Sequence, residues 1–198
     1  MKVIAFNGSP KAEGNTAHAL KLVTAELKKN AIDCEIVHVG NKVIRGCTAC
    51  GQCIKQQNEQ CVIKDEVNGW IQKMKAADGL LIGSPVYYSG IAGTLKCFLD
   101  RAFFVTGVNG GMLRGKVGAA AAAVRRSGGI PTFDQLNHFI NYAEMIVPTS
   151  NYWNVIHGLL PGEVLQDEEG VQVMQVLGQN MAYVLKLVEN GAGKVEMP

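Results

Sequence analysis

Val3-Ile4-Ala5-Phe6-Asn7-Gly8-Ser9-Pro10 is an unbroken apolar run stopped by a cluster of turn formers, and its reading decides the fold. A strand buried on both faces looks like this, because neither face tolerates polar side chains, and such strands belong to parallel sheets covered by helices. A helix is expected next. From Asn15 onward Leu20, Val23, Leu27 and Ala31 recur at helical spacing, while Lys21, Lys28 and Lys29 fall elsewhere on the wheel. Working outward, segments 34–39, 79–83, 116–124 and 145–148 read as further strands, and 65–75, 94–104, 132–143 and 170–189 as helices. Five strands with intervening helices predict an α/β chain, a three-layer sandwich around a doubly wound parallel sheet in the order 2-1-3-4-5. One domain over 1–198 is expected, interrupted only by a cysteine-bearing loop at 46–64.

Composition narrows the function. The 198 residues carry a net charge of +2 with the basic residues scattered, so no basic patch with interleaved aromatics points to nucleic acid. Membrane insertion is equally unsupported, since the longest apolar stretch, 117–124, is far shorter than a bilayer span. The chain enters its first apolar run directly after Met1-Lys2, too short for a signal peptide, and a reducing, cytoplasmic setting is expected.

A doubly wound sheet binds its ligand beyond the carboxyl ends of the strands, where the strand order reverses. The loops at 7–16, 84–93 and 125–131 are therefore the ones to read. In the first, Gly8-Ser9-Pro10-Lys11-Ala12-Glu13-Gly14-Asn15-Thr16 leads from strand to helix, so backbone N–H groups, two hydroxyls and the helix dipole favour an anion. It is not a Walker loop, because five residues separate the glycines and Asn15 stands where a lysine is needed; the dinucleotide fingerprint is missing as well. A single phosphate remains, with an ordinary capped turn as the structural alternative.

Cys47-Thr48-Ala49-Cys50-Gly51-Gln52-Cys53 followed by Cys61 adds a second centre. Thiolates at consecutive x2 steps converge without chain strain, and a fourth from a short loop completes an all-thiolate shell of the iron-sulfur kind. Structural zinc, a disulfide and an empty remnant are the alternatives; zinc sites more often bring two separated knuckles.

The strand ending in Gly8-Ser9-Pro10-Lys11, the following Gly14-Asn15-Thr16, and Gly83-Ser84-Pro85-Val86-Tyr87-Tyr88-Ser89-Gly90 together resemble the NADPH-dependent FMN reductase family of flavodoxin-like proteins. With the spacing C-x2-C-x2-C-x7-C between the second strand and second helix, the chain is similar to the iron-sulfur flavoproteins within it. The resemblance implies that Ser9, Lys11, Gly14, Asn15 and Thr16 hold the FMN phosphate, and that Pro85, Val86, Tyr87, Tyr88 and Gly90 lie against the isoalloxazine ring. It also implies that Arg126, Ser127, Gly128 and Gly129 close the pocket, and that Cys47, Cys50, Cys53 and Cys61 bind a [4Fe-4S] cluster. Physically, tyrosine faces suit a flat tricyclic ring, and glycines let backbone N–H groups approach its polar edge. Core or interface packing is the alternative for Tyr87 and Tyr88, and a solvated charge pair for Arg125 and Arg126.

Three activities fit these residues. The first is an oxidoreductase passing electrons between cluster and FMN, for which the resemblance implies ferredoxin as donor, with a small-molecule acceptor. The second is a cluster-free reductase of FMN or quinones fed by NAD(P)H, and the third a non-catalytic electron carrier or redox sensor. The resemblance further implies a homodimer or homotetramer. No acid-base triad is needed for any of them, and the four histidines share no metal-ligand spacing. Cys34 and Cys97 read as structural thiols, and Tyr152 and Trp153 as core or interface aromatics.

Overall fold

The computed structural model describes residues 1–195, so the expected domain span of 1–198 includes residues 196–198, which lie outside the described residues. The chain runs β1 (Lys2–Asn7), α1 (Asn15–Lys29), β2 (Asp33–His38), a short α2 (Gln52–Gln56), α3 (Glu66–Ala76), β3 (Gly79–Tyr87), β4 (Gly90–Ile91) and α4 (Gly93–Val108). It continues through β5 (Val117–Val124), α5 (Gly129–Tyr142), β6 (Val155–His157), a 3-10 turn (Glu163–Gln166) and α6 (Glu168–Gly191). Five strands pair in parallel in the order β2-β1-β3-β5-β6, and β4 hangs antiparallel on the end of β3. Counting the parallel strands alone, this is the expected 2-1-3-4-5 arrangement; the β3–β4 hairpin makes the sheet six-stranded.

Helices cover both faces. Leu20, Val23 and Leu27 of α1 and Met174, Leu177 and Met181 of α6 pack on one side, against Val3, Ala5, Leu81 and the alternate residues Val117, Ala119, Ala121 and Ala123 of β5. Trp70 and Met74 of α3, Phe98 and Ala102 of α4 and Leu136 and Ile140 of α5 fill the other, against Ile4, Phe6, Leu80 and Ile82. Every residue of β5 is buried, which explains its alanine run: small side chains let both helical layers approach the middle of the sheet.

One element lies elsewhere than expected. The fifth parallel strand is Val155–His157, pairing Ala122 with Val155, and not 145–148, where Ile146 makes only an isolated bridge to Val117. Pro148 has no N–H to continue a ladder, Met145 turns inward against Gly118, and Ile146 and Val147 stay partly exposed. Buried Asn154 then re-aims the chain, its Nδ2 donating to the Ala120 carbonyl at 3.0 Å and its carbonyl accepting from Ala122 N at 2.9 Å.

Asp167 fastens α6 to the new edge strand. Its Oδ1 accepts from Gly170 N at 3.0 Å, capping the helix, and its Oδ2 accepts from His157 N at 2.7 Å. Burial works to raise the carboxyl's pKa, but these N–H groups and the His157 ring outweigh it, leaving the group below its ordinary 3.8. Because the folded-state value is depressed, the stabilisation is complete above about pH 4 and is lost as pH falls through the folded value. Asp167→Asn, which retains one acceptor, is expected to cost about 1 kcal/mol at pH 7, roughly 2–4 °C in Tm. Thermal melts of both chains should converge as pH falls through the depressed folded-state value, and a gap that stays constant with pH would contradict the assignment.

Candidate functional site

The first loop is wound by its own side chains. Ser9 N donates to Asn7 Oδ1 at 3.0 Å and Lys11 N donates to Ser9 Oγ at 3.2 Å, two successive side-chain turns that bring Ser9 to a buried position. The Ser9 carbonyl accepts from His38 Nε2 at 2.7 Å, and Gly40 presses on the same peptide so closely that any Cβ there would strike it. Gly14 begins α1 with no side-chain cap and no acidic residue follows in the first turn, so the positive end of a 15-residue helix opens on this loop unneutralised. Thr16 adds a buried hydroxyl with no hydrogen-bond partner, the mark of a site that expects a polar guest. Asn15 is committed differently: its Nδ2 donates to Gly158 O at 2.9 Å and its Oδ1 accepts from Gly162 N at 2.8 Å. That amide staples the 158–162 loop to the head of α1, leaving the Asn15 backbone N–H in the helix's first turn. Lys11 is exposed at the loop's outer side.

β3 runs past Pro85 and Val86 to Tyr87 and reverses at Tyr88 and Ser89 into β4, with Val86 opposite Ile91 and Tyr87 opposite Gly90. Both turn residues have positive φ, 49° and 57°, a conformation that two-residue hairpins require but that tyrosine adopts at a cost. Tyr87 is half-exposed and Tyr88 fully exposed. The third loop leans on this turn: a Cβ at Gly128 would lie 2.7 Å from Ser89 Oγ and 3.0 Å from Val86 Cγ1, and Gly128 itself has φ of 86°. Gly128→Val meets both obstacles and is expected to cost about 1–3 kcal/mol, roughly 3–10 °C in Tm. An unchanged melting temperature would show that the two loops do not abut in solution.

Arg126, Ser127, Gly128 and Gly129 line a cleft of about 330 Å³ together with Tyr152, Trp153, His157 and Asp167. Tyr152 and Trp153, for which the sequence allows core or interface packing, stand half-exposed, edge to face, with ring centroids 4.5 Å apart. The expected residues of the first two loops are outside this cleft's lining, so the third loop borders both the β3–β4 hairpin and a separate recess toward α6. Arg125 and Arg126 are exposed at the end of β5.

Cys47, Cys50, Cys53 and Cys61 line a single small concavity, together with Thr48, Val62, Arg101, Phe104 and Val105. Left-handed backbone at Ala49 and Gly51, with φ of 52° and 68°, turns successive cysteines toward it, and the short helix α2 carries Cys53 into the core. Asn68 of α3 holds the far side, accepting from Cys61 N at 2.7 Å and donating to the carbonyls of Cys61 and Ile63 at 2.9 and 3.2 Å. The Cys50 thiol is drawn below its ordinary pKa by the Gln52 N–H and the Thr48 side chain, whereas burial pushes Cys53 up. All four cysteines line this one concavity, while among the described residues no three His, Cys, Asp or Glu side chains are drawn together as ligands of one ion. Each thiolate of a four-iron cluster binds its own iron and the four need not meet on a single ion, so four cysteines around one concavity fit that group.

Outside the motif, Cys34 is half-buried, its pKa raised by burial to about 11, an inert thiol. Cys97 is also half-buried and lies beside the cysteine segment, 3.5 Å from where a Cβ on Gly46 would stand. Sequence reasoning missed Arg101 and Asp65. The available signal was an arginine on the same helix face as Phe98 and Val105, a position that should be apolar.

Residues 1–159 match the NADPH-dependent FMN reductase family. The chain belongs to that family. It is accordingly a flavin-dependent oxidoreductase with FMN as its cofactor. An iron-sulfur flavoprotein of Methanocaldococcus jannaschii is 35% identical over 196 residues, covering 96% of this chain and 100% of the relative. One from Methanosarcina thermophila is 28% identical over 196 residues, covering 98% and 100%. Among solved structures, RosB with bound 8-demethyl-8-formylriboflavin-5'-phosphate superposes with a TM-score of 0.79 at 15% identity, over 98% of this chain and 82% of that one. An archaeal flavodoxin superposes with a TM-score of 0.62 at 16% identity, over 94% and 99%. At those identities the two structures speak for the flavodoxin-like fold. Among the described residues no helix is long and apolar enough to cross a membrane.

Proposed function

We propose that this FMN reductase family member passes electrons between a [4Fe-4S] cluster on Cys47, Cys50, Cys53 and Cys61 and FMN seated on the three carboxyl-edge loops, and onward to a small acceptor. The observation that carries the reading is the convergence of all four motif cysteines on one concavity whose wall includes an otherwise unpaired buried donor, Arg101 Nε. FMN exchanges either a hydride or single electrons, so it joins a one-electron partner to a two-electron substrate.

The chain's own residues have separable tasks. The α1 N-terminus, Ser9 and the orphaned Thr16 hydroxyl bind the phosphate, with Gly14 leaving room for its close approach and Lys11 adding charge at the rim. Pro85, Val86, Tyr87, Tyr88 and Gly90 supply the hairpin against the ring, Gly128 abuts that hairpin, and Ser127 and Gly129 close the pocket beside it, with Arg126 facing the neighbouring recess. α4 starts directly after the hairpin and reaches the cysteine concavity at Arg101, about 12 Å farther along its axis. One rigid helix therefore spaces the two centres.

The donor is a ferredoxin or NAD(P)H. The recess beside Arg126, with its Tyr152–Trp153 wall, is the feature that favours the nicotinamide, as it offers a cation and aromatic faces. Anaerobic titration of the holoprotein with reduced ferredoxin and with NADPH decides between them: bleaching by ferredoxin alone supports the cluster-first path, and bleaching by neither overturns the oxidoreductase reading. A cytoplasmic homodimer or homotetramer accompanies this reading; a monomer in light scattering at micromolar concentration would contradict the assembly.

A further inference from the structure

Arg101 heads the fully buried side chains of the molecule by volume, and its place is the wall of the four-cysteine concavity. A guanidinium has five N–H groups, and burying it is costly unless they are answered. Four of them have identified acceptors. Nη1 donates to Asp65 Oδ2 at 2.6 Å and to the Arg45 carbonyl at 3.3 Å; Nη2 donates to Asp65 Oδ1 at 2.8 Å and to the Ile63 carbonyl at 3.2 Å. The fifth, Nε–H, is buried without a partner.

The pattern of acceptors is specific. The Arg45 carbonyl lies two residues before Cys47 and the Ile63 carbonyl two residues after Cys61, so one side chain straps both ends of the cysteine segment. Asp65 fixes the fork's orientation and is itself held at the head of α3, where its Oδ1 accepts from Val67 N at 3.2 Å. A fixed orientation, full burial and an unspent donor on a side chain that neighbours the Cys61 thiol are more than a strap needs. A surface lysine, or an apolar residue at this core position, would close the loop without burying a charge beside sulfur.

We propose that Arg101 sets the reduction potential of the cysteine-bound centre, its Nε–H donating to sulfur at the concavity and its charge favouring the more negative, reduced state. Asp65 is the counterweight that moderates the charge. The inference rests on the cluster reading given above. Its physics is general: hydrogen bonds to cluster sulfurs and nearby positive charge both raise a reduction potential, because reduction adds one negative charge to a centre already rich in thiolate. One electron enters from the donor and no bond is formed or broken at Arg101.

Two variants cut the same ion pair with opposite electrostatic effect. Arg101→Gln removes the cation and the Nε–H donor, and the one-electron reduction constant should fall at least tenfold, a shift of about 59 mV to lower potential. Asp65→Asn keeps a side chain able to cap α3 and leaves Arg101 less neutralised, so the shift should have the opposite sign. Potentials are read by EPR-monitored redox titration of anaerobically reconstituted holoprotein, with iron, sulfide and FMN quantified on each sample. A purely structural strap predicts that both variants lose iron while any retained cluster keeps the parental potential, and that result overturns the proposal. Should Arg101→Gln fail to fold, Asp65→Asn alone decides: an upward shift supports the assignment, and none or a downward one overturns it. A parent chain that takes up no iron overturns the cluster reading and this inference together, whereas a loaded parent with unshifted variants overturns this inference alone.

Discussion

A Cys50→Ser chain, reconstituted without oxygen beside its parent, is expected to retain fewer than about one iron per chain against about four in the parent, with FMN at the parental level. Cys50 is the informative choice among the four ligand candidates. It is exposed, so serine there leaves no cavity in the core, whereas Cys53 is buried as part of the core on that face of the sheet and its loss would confound metal binding with folding. Its thiol is also drawn below its ordinary pKa by the Gln52 N–H and the Thr48 side chain, the direction that favours a thiolate ligand. Serine keeps the shape and removes the soft donor. Cys50 lies in the cysteine segment and outside the three carboxyl-edge loops, so FMN serves as the internal control for folding. Full iron in the variant would exclude Cys50 from the ligand set, and loss of FMN together with iron would mean that the two centres fold as one unit.

Ser9→Asp should be the most damaging single change for the flavin. Ser9 is buried beside Gly14, with its Oγ only 3.3 Å from where a Cβ on that residue would lie, at the uncapped end of α1. A carboxylate there faces a phosphate of like sign in a partly desolvated loop, a repulsion on the order of 3 kcal/mol, or roughly two decades in FMN affinity. Ser9→Ala removes only one hydrogen bond, about 1 kcal/mol, and separates the charge effect from loss of the side-chain turn. Fluorescence titration of FMN into the apoprotein, with melting temperatures measured alongside, checks both. Parental affinity in Ser9→Asp would move the phosphate away from this loop.

The layered architecture was legible because apolar runs buried on both faces have few other homes: β1, β3 and β5 were readable from Val3-Ile4-Ala5-Phe6, Gly79-Leu80-Leu81-Ile82 and the alanine run. The edge strand was not legible. Val155–His157 is short, only Ile156 is buried, and its position depends on Asn154 reaching Ala120, a contact distant in sequence. The competing segment 145–148 had the stronger apolar signal but ends in a proline that cannot extend a ladder. In the loops, residue types marked candidate segments, but types do not reveal what each side chain is already bonded to. Asn15 illustrates this, since its amide is taken by Gly158 and Gly162, partners more than 140 positions away. The cysteine spacing marked the second centre, while the arginine behind it became visible only through its burial and its one unanswered N–H.

The proposed function requires that one chain hold both a cluster and a flavin. Its most direct test is elemental iron, acid-labile sulfide and FMN measured with the visible spectrum on one anaerobically purified and reconstituted sample. About four irons, four sulfides and one FMN per chain are expected. Flavin without iron or sulfide, after reconstitution, would contradict the claim and leave a nicotinamide-dependent FMN reductase whose four cysteines have no redox task.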